Sequence, residues 1–299
     1  MILCLLGVII RDSSIFSRVS YTNAHYSFIY CLFDFCSNSN HGGAVYFSGS
    51  GYNLGFECCR FDYCTSKLQG GALFIDQARL SKIVKSIMQN CSASGSSSYR
   101  IGMSSRSVLY DEMTDFSESH SYSNGHGSLH GCSYLTYKNN NHTYSRSAST
   151  TYGESIFSCL NGYSFSFSNF AHDTTSNYLC SWNDMNEFKY LNDNFINISC
   201  TNFIYRVSTS STGIFDSCYF QNFSYVSLSS HKIVKITNCY FDVESMTTSQ
   251  CLVFSNNIMN TQLINIHDCK AICYLTSTYR SFKFHSFLIS TIIYVSDYY

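Results

Sequence analysis

Two copies of one phrase, offset by 28 residues, constrain this chain more than any other feature. Cys31-Leu32-Phe33-Asp34-Phe35-Cys36 leads, six residues on, to Gly42-Gly43-Ala44-Val45-Tyr46-Phe47. Cys59-Arg60-Phe61-Asp62-Tyr63-Cys64 leads, six residues on, to Gly70-Gly71-Ala72-Leu73-Phe74-Ile75. A fixed period of this size means stacked structural units.

The apolar runs between turn residues are short and rich in Val, Ile, Tyr and Phe, which is the pattern of strands. No long stripe of period 3.6 appears, so helical repeats are disfavoured. A period in the twenties suits one turn of a parallel β-helix, in which about three short strands lie on the turn below. Gly-Gly then marks a sharp corner, because Gly reaches positive φ without steric cost.

The third position of the phrase can be followed along the chain. It is apolar at Phe33, Phe61 and Met88, and later at Ile196, Phe220, Phe241 and Met259. Met113, Tyr134, Phe157 and Leu179 fill the gap. The steps are 28, 27, 25, 21, 23, 22, 17, 24, 21 and 18 residues. They predict an all-β solenoid of about 11 coils of ~23 residues, roughly 50 Å long at ~4.8 Å per coil.

Paired G-G-A-[ILV] and F-x-x-N motifs mark the polymorphic outer-membrane proteins, autotransporter surface proteins of intracellular bacteria. Variants with Cys for Asn occur in large surface-protein families of trichomonad-type parasites. Gly42 to Val45 and Gly70 to Leu73 match the first motif. Phe33 to Cys36 and Phe61 to Cys64 give F-x-x-C, and Phe254 to Asn257 gives one F-x-x-N. The specific match covers about 50 residues. This resemblance implies a right-handed parallel β-helix of the pectin lyase-like kind, displayed at a cell surface, with adhesin or antigen roles and no catalytic residues.

The pattern predicts three regions. Residues 1–27 form an N-terminal leader or cap strand. Residues 28–275 form the β-helix, with irregular loops near 92–107 and 117–153. Residues 276–299 form a C-terminal cap. Met1 to Ile10 lacks the basic start of a secretory signal. The apolar C-terminal stretch falls short of the ~18 residues needed to span a bilayer. Neither end predicts a membrane span.

Of 299 residues, 45% are hydrophobic, enough for a core, but only 12% are charged and the net charge is −1. That balance gives no electrostatic case for nucleic acid. The 16 cysteines show no paired C-x-x-C set, so no metal or other cofactor is expected. Cys31 with Cys59, and Cys36 with Cys64 and Cys91, are ladder positions on neighbouring coils. Disulfides and buried free thiols both fit that placement. Asn90, Asn141, Asn197 and Asn222 head N-x-Ser/Thr triplets that permit glycosylation in a secreted chain.

Glycoside hydrolysis needs two placed carboxylates. The acids here are scattered, and only Asp34 and Asp62 share the 28-residue offset. Trp182 is the single Trp, which offers little for stacking sugars. The sequence therefore predicts a non-enzymatic surface or secreted protein binding host cells or matrix. The alternative is a carbohydrate-active β-helix enzyme, lyase or hydrolase, with a degenerate site.

Overall fold

A computed structural model describes residues 7–94 with their side chains. Between 96 and 259 it describes the strands, with side chains at 166, 170, 189–199, 213–222, 235–242 and 257. The described residues are all β, without a helix, and the strands stack in parallel as a β-solenoid.

Residues 7–94 make about four turns. The first holds β1 (Val8–Arg11), β2 (Ser14–Ile15) and β3 (Val19–Tyr21). The second holds β4 (Tyr26–Ile29), β5 (Leu32–Asp34), β6 (Ser37–Asn38) and β7 (Val45–Ser48). The third holds β8 (Asn53–Glu57), β9 (Arg60–Asp62), β10 (Thr65–Ser66) and β11 (Leu73–Asp76). The next begins with β12 (Leu80–Val84), β13 (Ile87–Gln89) and β14 (Ser92–Ala93).

Equivalent strands of successive turns pair in register. β5, β9 and β13 belong to an 11-stranded sheet, β6, β10 and β14 to a six-stranded sheet. The first and last strands of each turn belong to an 18-stranded sheet. A full turn thus uses four short strands on three sheets, one strand more than expected.

Side chains alternate across each strand. In β9, Phe61 is buried while Arg60 and Asp62 face outward, and β5 repeats this with Phe33 between Leu32 and Asp34. Phe33 lies in register with Phe61, and Phe61 with Met88, all three fully buried. The Phe33 and Phe61 rings stack at 4.6 Å with a 5° tilt. A second interior column stands beside the first. Phe28 stacks on Phe56 at 5.1 Å and meets Phe33 edge-on at 5.4 Å. Such pairs add roughly 0.5–1.5 kcal/mol each beyond the burial of their area. The same arrangement recurs further on, where Phe170, Phe195, Phe220 and Phe241 stack at 5.2, 5.0 and 4.6 Å beside Tyr190 on Phe215 at 5.0 Å.

The corners are built from residues of many kinds in the left-handed region. Tyr30, Cys58 and Lys85, at φ 55°, 52° and 51°, turn the chain into the 11-stranded sheet. Phe35, Tyr63 and Asn90, at 50°, 49° and 54°, turn it out again. Non-glycine residues rarely adopt this conformation, which costs roughly 1–2 kcal/mol each. The coil-to-coil bonding runs through the bend and offsets part of that cost. The amide of Tyr30 donates to the Glu57 carbonyl at 3.0 Å, and that of Cys58 to Val84 at 3.0 Å.

Gly42 and Gly43 divide the work of the glycine corner. Gly42 and Gly70 carry φ of +68°. Gly43 does not, but a Cβ there would fall on the carbonyl oxygens of Gly71 and Thr65. The corner expected at Gly43, where a Cβ would clash, is therefore present, while the positive φ belongs to the glycine before it. The first glycine supplies the turn, and the second permits close approach of backbones.

Other expectations move as well. The described solenoid starts one coil before the repeated phrase, because Ile15 of β2 already pairs with Phe33. Within the segment expected to be a leader or cap strand lie β2 and β3. The inner column does not run through Ile196, which is half-buried beside fully buried Phe195. Nor does it use Tyr134, Phe157 or Leu179, which lie on strands of the 18-stranded sheet. Phe116, His142 and Phe170 hold the registered positions instead. Met113 lies outside the described residues. Strands Ser96–Gly102 and His126–Lys138 fall within the segments expected to be irregular loops. Ladder bonding is made by the backbone, so Ser- and His-rich sequence can join it. The C-terminal cap at 276–299 lies outside the described residues.

Candidate functional site

The cysteines of the repeat are placed by the corners. Each of Cys31, Cys36, Cys59, Cys64 and Cys91 directly follows a left-handed residue and points inside the bend. The carbonyls just before these corners already accept backbone amides, Glu57 from Tyr30, Asp62 from Phe35 and Gln89 from Tyr63, but a carbonyl has two lone pairs and can take a second donor. The thiol supplies one. Cys59 Sγ donates to the carbonyls of Phe28 at 3.3 Å and Glu57 at 3.5 Å. Cys31 does so toward Ile10 and Ile29, Cys36 toward Ile15 and Asp34, Cys64 toward Phe33 and Asp62, and Cys91 toward Phe61 and Gln89. Cys218 and Cys239 repeat the arrangement.

All these cysteines are free thiols. Burial, then the hydrogen bond with Cys31, pushes the Cys59 thiol up. The hydrogen bond with Cys64, then burial, pushes Cys36 up. Both are held protonated at neutral pH, the state in which a thiol donates. Among the described residues no three His, Cys, Asp or Glu side chains converge as metal ligands.

The outer face of the 11-stranded sheet brings the chemically active groups together. Asp34 and Asp62 lie in register on β5 and β9. The Arg60 guanidinium pairs with Asp62. Asn90 Nδ2 donates to Asp62 Oδ1 at 3.3 Å. Burial and the Asp62 charge push the Asp34 carboxyl up, against the pull of Arg60.

Beside this row, Phe35 and Tyr63 stack at 5.1 Å with a 5° tilt, although they are 65% and 50% exposed. The repeated phrase already placed an aromatic residue before its second Cys in both copies. Its outward direction follows from the left-handed corner, which the sequence does not announce. A third face carries a shallow groove over β6, β10 and β14 that the sequence reading passed over, because Ser, Thr and Asn there read as connecting segments.

The N-x-Ser/Thr asparagines have a backbone reason to be where they are. Asn90, Asn197 and Asn222 occupy left-handed corners at φ 54°, 53° and 46°. Asn222 Nδ2 donates to Asn197 Oδ1 at 2.7 Å, one rung of an amide ladder between coils. Asn141 opens the strand Asn141–Thr143, and its side chain lies outside the described residues.

Among the described residues no helix is long and apolar enough to cross a membrane. No protein-family model, curated protein or solved structure matches the chain.

Proposed function

We propose that this chain is a cell-surface or secreted binding protein, an adhesin- or antigen-type β-helix that attaches to host cells or matrix without catalysis. The polymorphic outer-membrane-protein-like motifs around Gly42 and Gly70 motivate the placement at a surface. A right-handed, pectin lyase-like coil is part of the reading, since strand–crossover–strand connections are overwhelmingly right-handed.

The observation that supports binding best is the exposed pair of Phe35 and Tyr63. Stacked aromatic side chains in water leave apolar area uncovered while losing little further rotamer freedom on contact. They suit many weak contacts, made useful by many copies. Surface labelling of intact cells with an antibody to this chain tests its location. Host-cell binding by beads carrying many copies tests attachment. Bead binding that survives changing both Phe35 and Tyr63 to Ser removes the support offered here.

The enzyme reading draws on Asp34 beside Asp62, with Asp34 pushed up. Polygalacturonate or host glycans incubated with the chain are expected to gain no unsaturated or reducing ends over a denatured control. Turnover abolished by changing both aspartates to Asn would establish the enzyme instead.

A further inference from the structure

We infer that the exposed Phe35–Tyr63 stack and the Asp34 carboxylate beside it form a docking point for an arginine side chain on a partner protein. The inference rests on the reading of this chain as a non-catalytic binder and gives that binder a partner of stated chemistry, a basic protein surface.

The exposed rings are gathered around one carboxylate. Phe35 follows Asp34 in the chain, and Tyr63 stacks on Phe35 at 5.1 Å. Ile15 pairs with Phe33, which brings Phe16, 64% exposed, level with Asp34 on the turn before. In that first turn only Phe16, Ser17 and Arg18 link β2 to β3, and none of the three has the left-handed φ of the Phe35 and Tyr63 corner. Among the described residues no ring other than Tyr63 stacks on Phe35. One face of Phe35 is therefore open on the side of the first turn, and Phe35 is 65% exposed against 50% for Tyr63.

The charges beside these rings are negative in excess. Asp34 and Asp62 stand in register on adjacent turns. Arg60 is paired with Asp62, whereas Asp34 makes no ion pair among the described residues. Burial and the Asp62 charge both work against ionisation of Asp34. A cation arriving beside Asp34 relieves the repulsion between the two carboxylates, and a neutral ligand does not.

The open ring narrows the choice of cation. A guanidinium is planar, so it can lie on an aromatic face within ~6 Å of the centroid while its edge donates two hydrogen bonds to a carboxylate. An ammonium is a compact, strongly hydrated charge and gains less from the ring. An apolar side chain would cover the ring but bury Asp34 without a counter-charge. An acidic polymer would meet two carboxylates and a cation that is already paired.

The test uses the full chain at about 0.15 M salt, where distant charges are screened. The probes are oligoarginine, oligolysine and oligoglutamate peptides of equal length, and neutral dextran. Calorimetric titration is expected to show oligoarginine binding at least about tenfold more tightly than oligolysine, a difference of ~1.4 kcal/mol, and neither oligoglutamate nor dextran binding. Changing both Phe35 and Tyr63 to Ser is expected to bring oligoarginine down to the level of oligolysine. Asp34→Asn is expected to weaken both cationic peptides at least about tenfold while raising the unfolding midpoint. A merely structural aspartate would not move those two readouts in opposite directions. Equal affinity for oligoarginine and oligolysine, wild-type binding by the Asp34→Asn variant, dextran held as tightly as oligoarginine, or no binding of any probe overturns the assignment. Bead attachment to host cells is scored separately. Attachment that needs Phe35 and Tyr63 but survives Asp34→Asn removes the arginine partner and leaves the binding function standing. Attachment that survives loss of both rings removes the broader reading, while the peptide titrations still decide the docking point.

Discussion

Ser86 lies in register above Cys59 and takes over its role: its hydroxyl donates to the Val84 carbonyl at 3.1 Å and accepts the Cys59 amide at 3.2 Å. The slot inside the corner thus asks for a small donor rather than for sulfur. Cys59→Ser is expected to cost less than about 1 kcal/mol, and Cys59→Ala about 1–3 kcal/mol because the buried sulfur and its hydrogen bonds to the Phe28 and Glu57 carbonyls are lost together. Urea unfolding of the two variants checks the order. If Ser proves the worse replacement, the thiol acts by filling space.

The free thiols give a second expectation. The unfolding midpoint should be the same with and without dithiothreitol, and the described repeat cysteines should react with a thiol reagent only on unfolding. A midpoint that drops on reduction would show disulfides instead.

Phe61 sits between Phe33 and Met88 and touches the second column through Phe56 at 5.4 Å. Phe61→Ala removes a fully buried ring and is expected to cost about 3–5 kcal/mol. In a solenoid each turn is held by its neighbours, so the loss should be largest in the coils carrying Phe33 and Met88. Hydrogen exchange resolved by segment measures this, and uniform loss of protection would contradict it.

Gly43→Ala and Gly51→Ala separate two uses of glycine. Gly51 has φ of +85° with open space around it, so Ala there should cost about 1–2 kcal/mol for the dihedral alone. Gly43 has no unusual φ, but its Cβ would meet two backbone oxygens that cannot swing aside. The corner must then open, at a cost expected to reach or exceed about 3 kcal/mol. Comparison of the two midpoints decides, and equal losses would refute the close-approach account.

Asp34 carries a pH signature. Its carboxyl is pushed up when folded, so the native state holds the proton more tightly than the unfolded chain. Between the unfolded and folded pKa values the native state binds more protons, and stability from this group falls as pH rises through that window. Asp34→Asn should therefore raise the unfolding midpoint at pH 7, with a gain that shrinks as pH falls through the window. A gain independent of pH would assign the effect to something other than charge.

The fold was legible because the phrase around Phe33 and Phe61 repeats both the interior residue and the corner cysteines. The middle of the column was not, since three faces bury alternate residues and Tyr134 or Phe157 fits the pattern of any of them. Sequence spacing could not show that His142 takes the slot. At Asn194-Phe195-Ile196 the reading slipped by one residue, which in a strand exchanges inside for outside. The corners were hidden because Tyr, Phe, Cys and Lys are not turn residues by composition. The groove was hidden because a hydroxyl row looks like a linker until register aligns Ser37, Thr65 and Ser92.

The register of β5, β9 and β13 also has a mechanical meaning. The hydrogen bonds between turns point along the long axis of the solenoid, and few covalent paths run that way. A chain held at one end and pulled at the other is expected to give way like a zip, turn by turn, at low force and with a sawtooth whose steps follow the length of each turn, from 28 residues between Phe33 and Phe61 to 18 between Phe241 and Met259. Tension that would detach a rigid tether would instead lengthen this one. Single-molecule stretching that shows one abrupt rupture of the whole stack would contradict this behaviour.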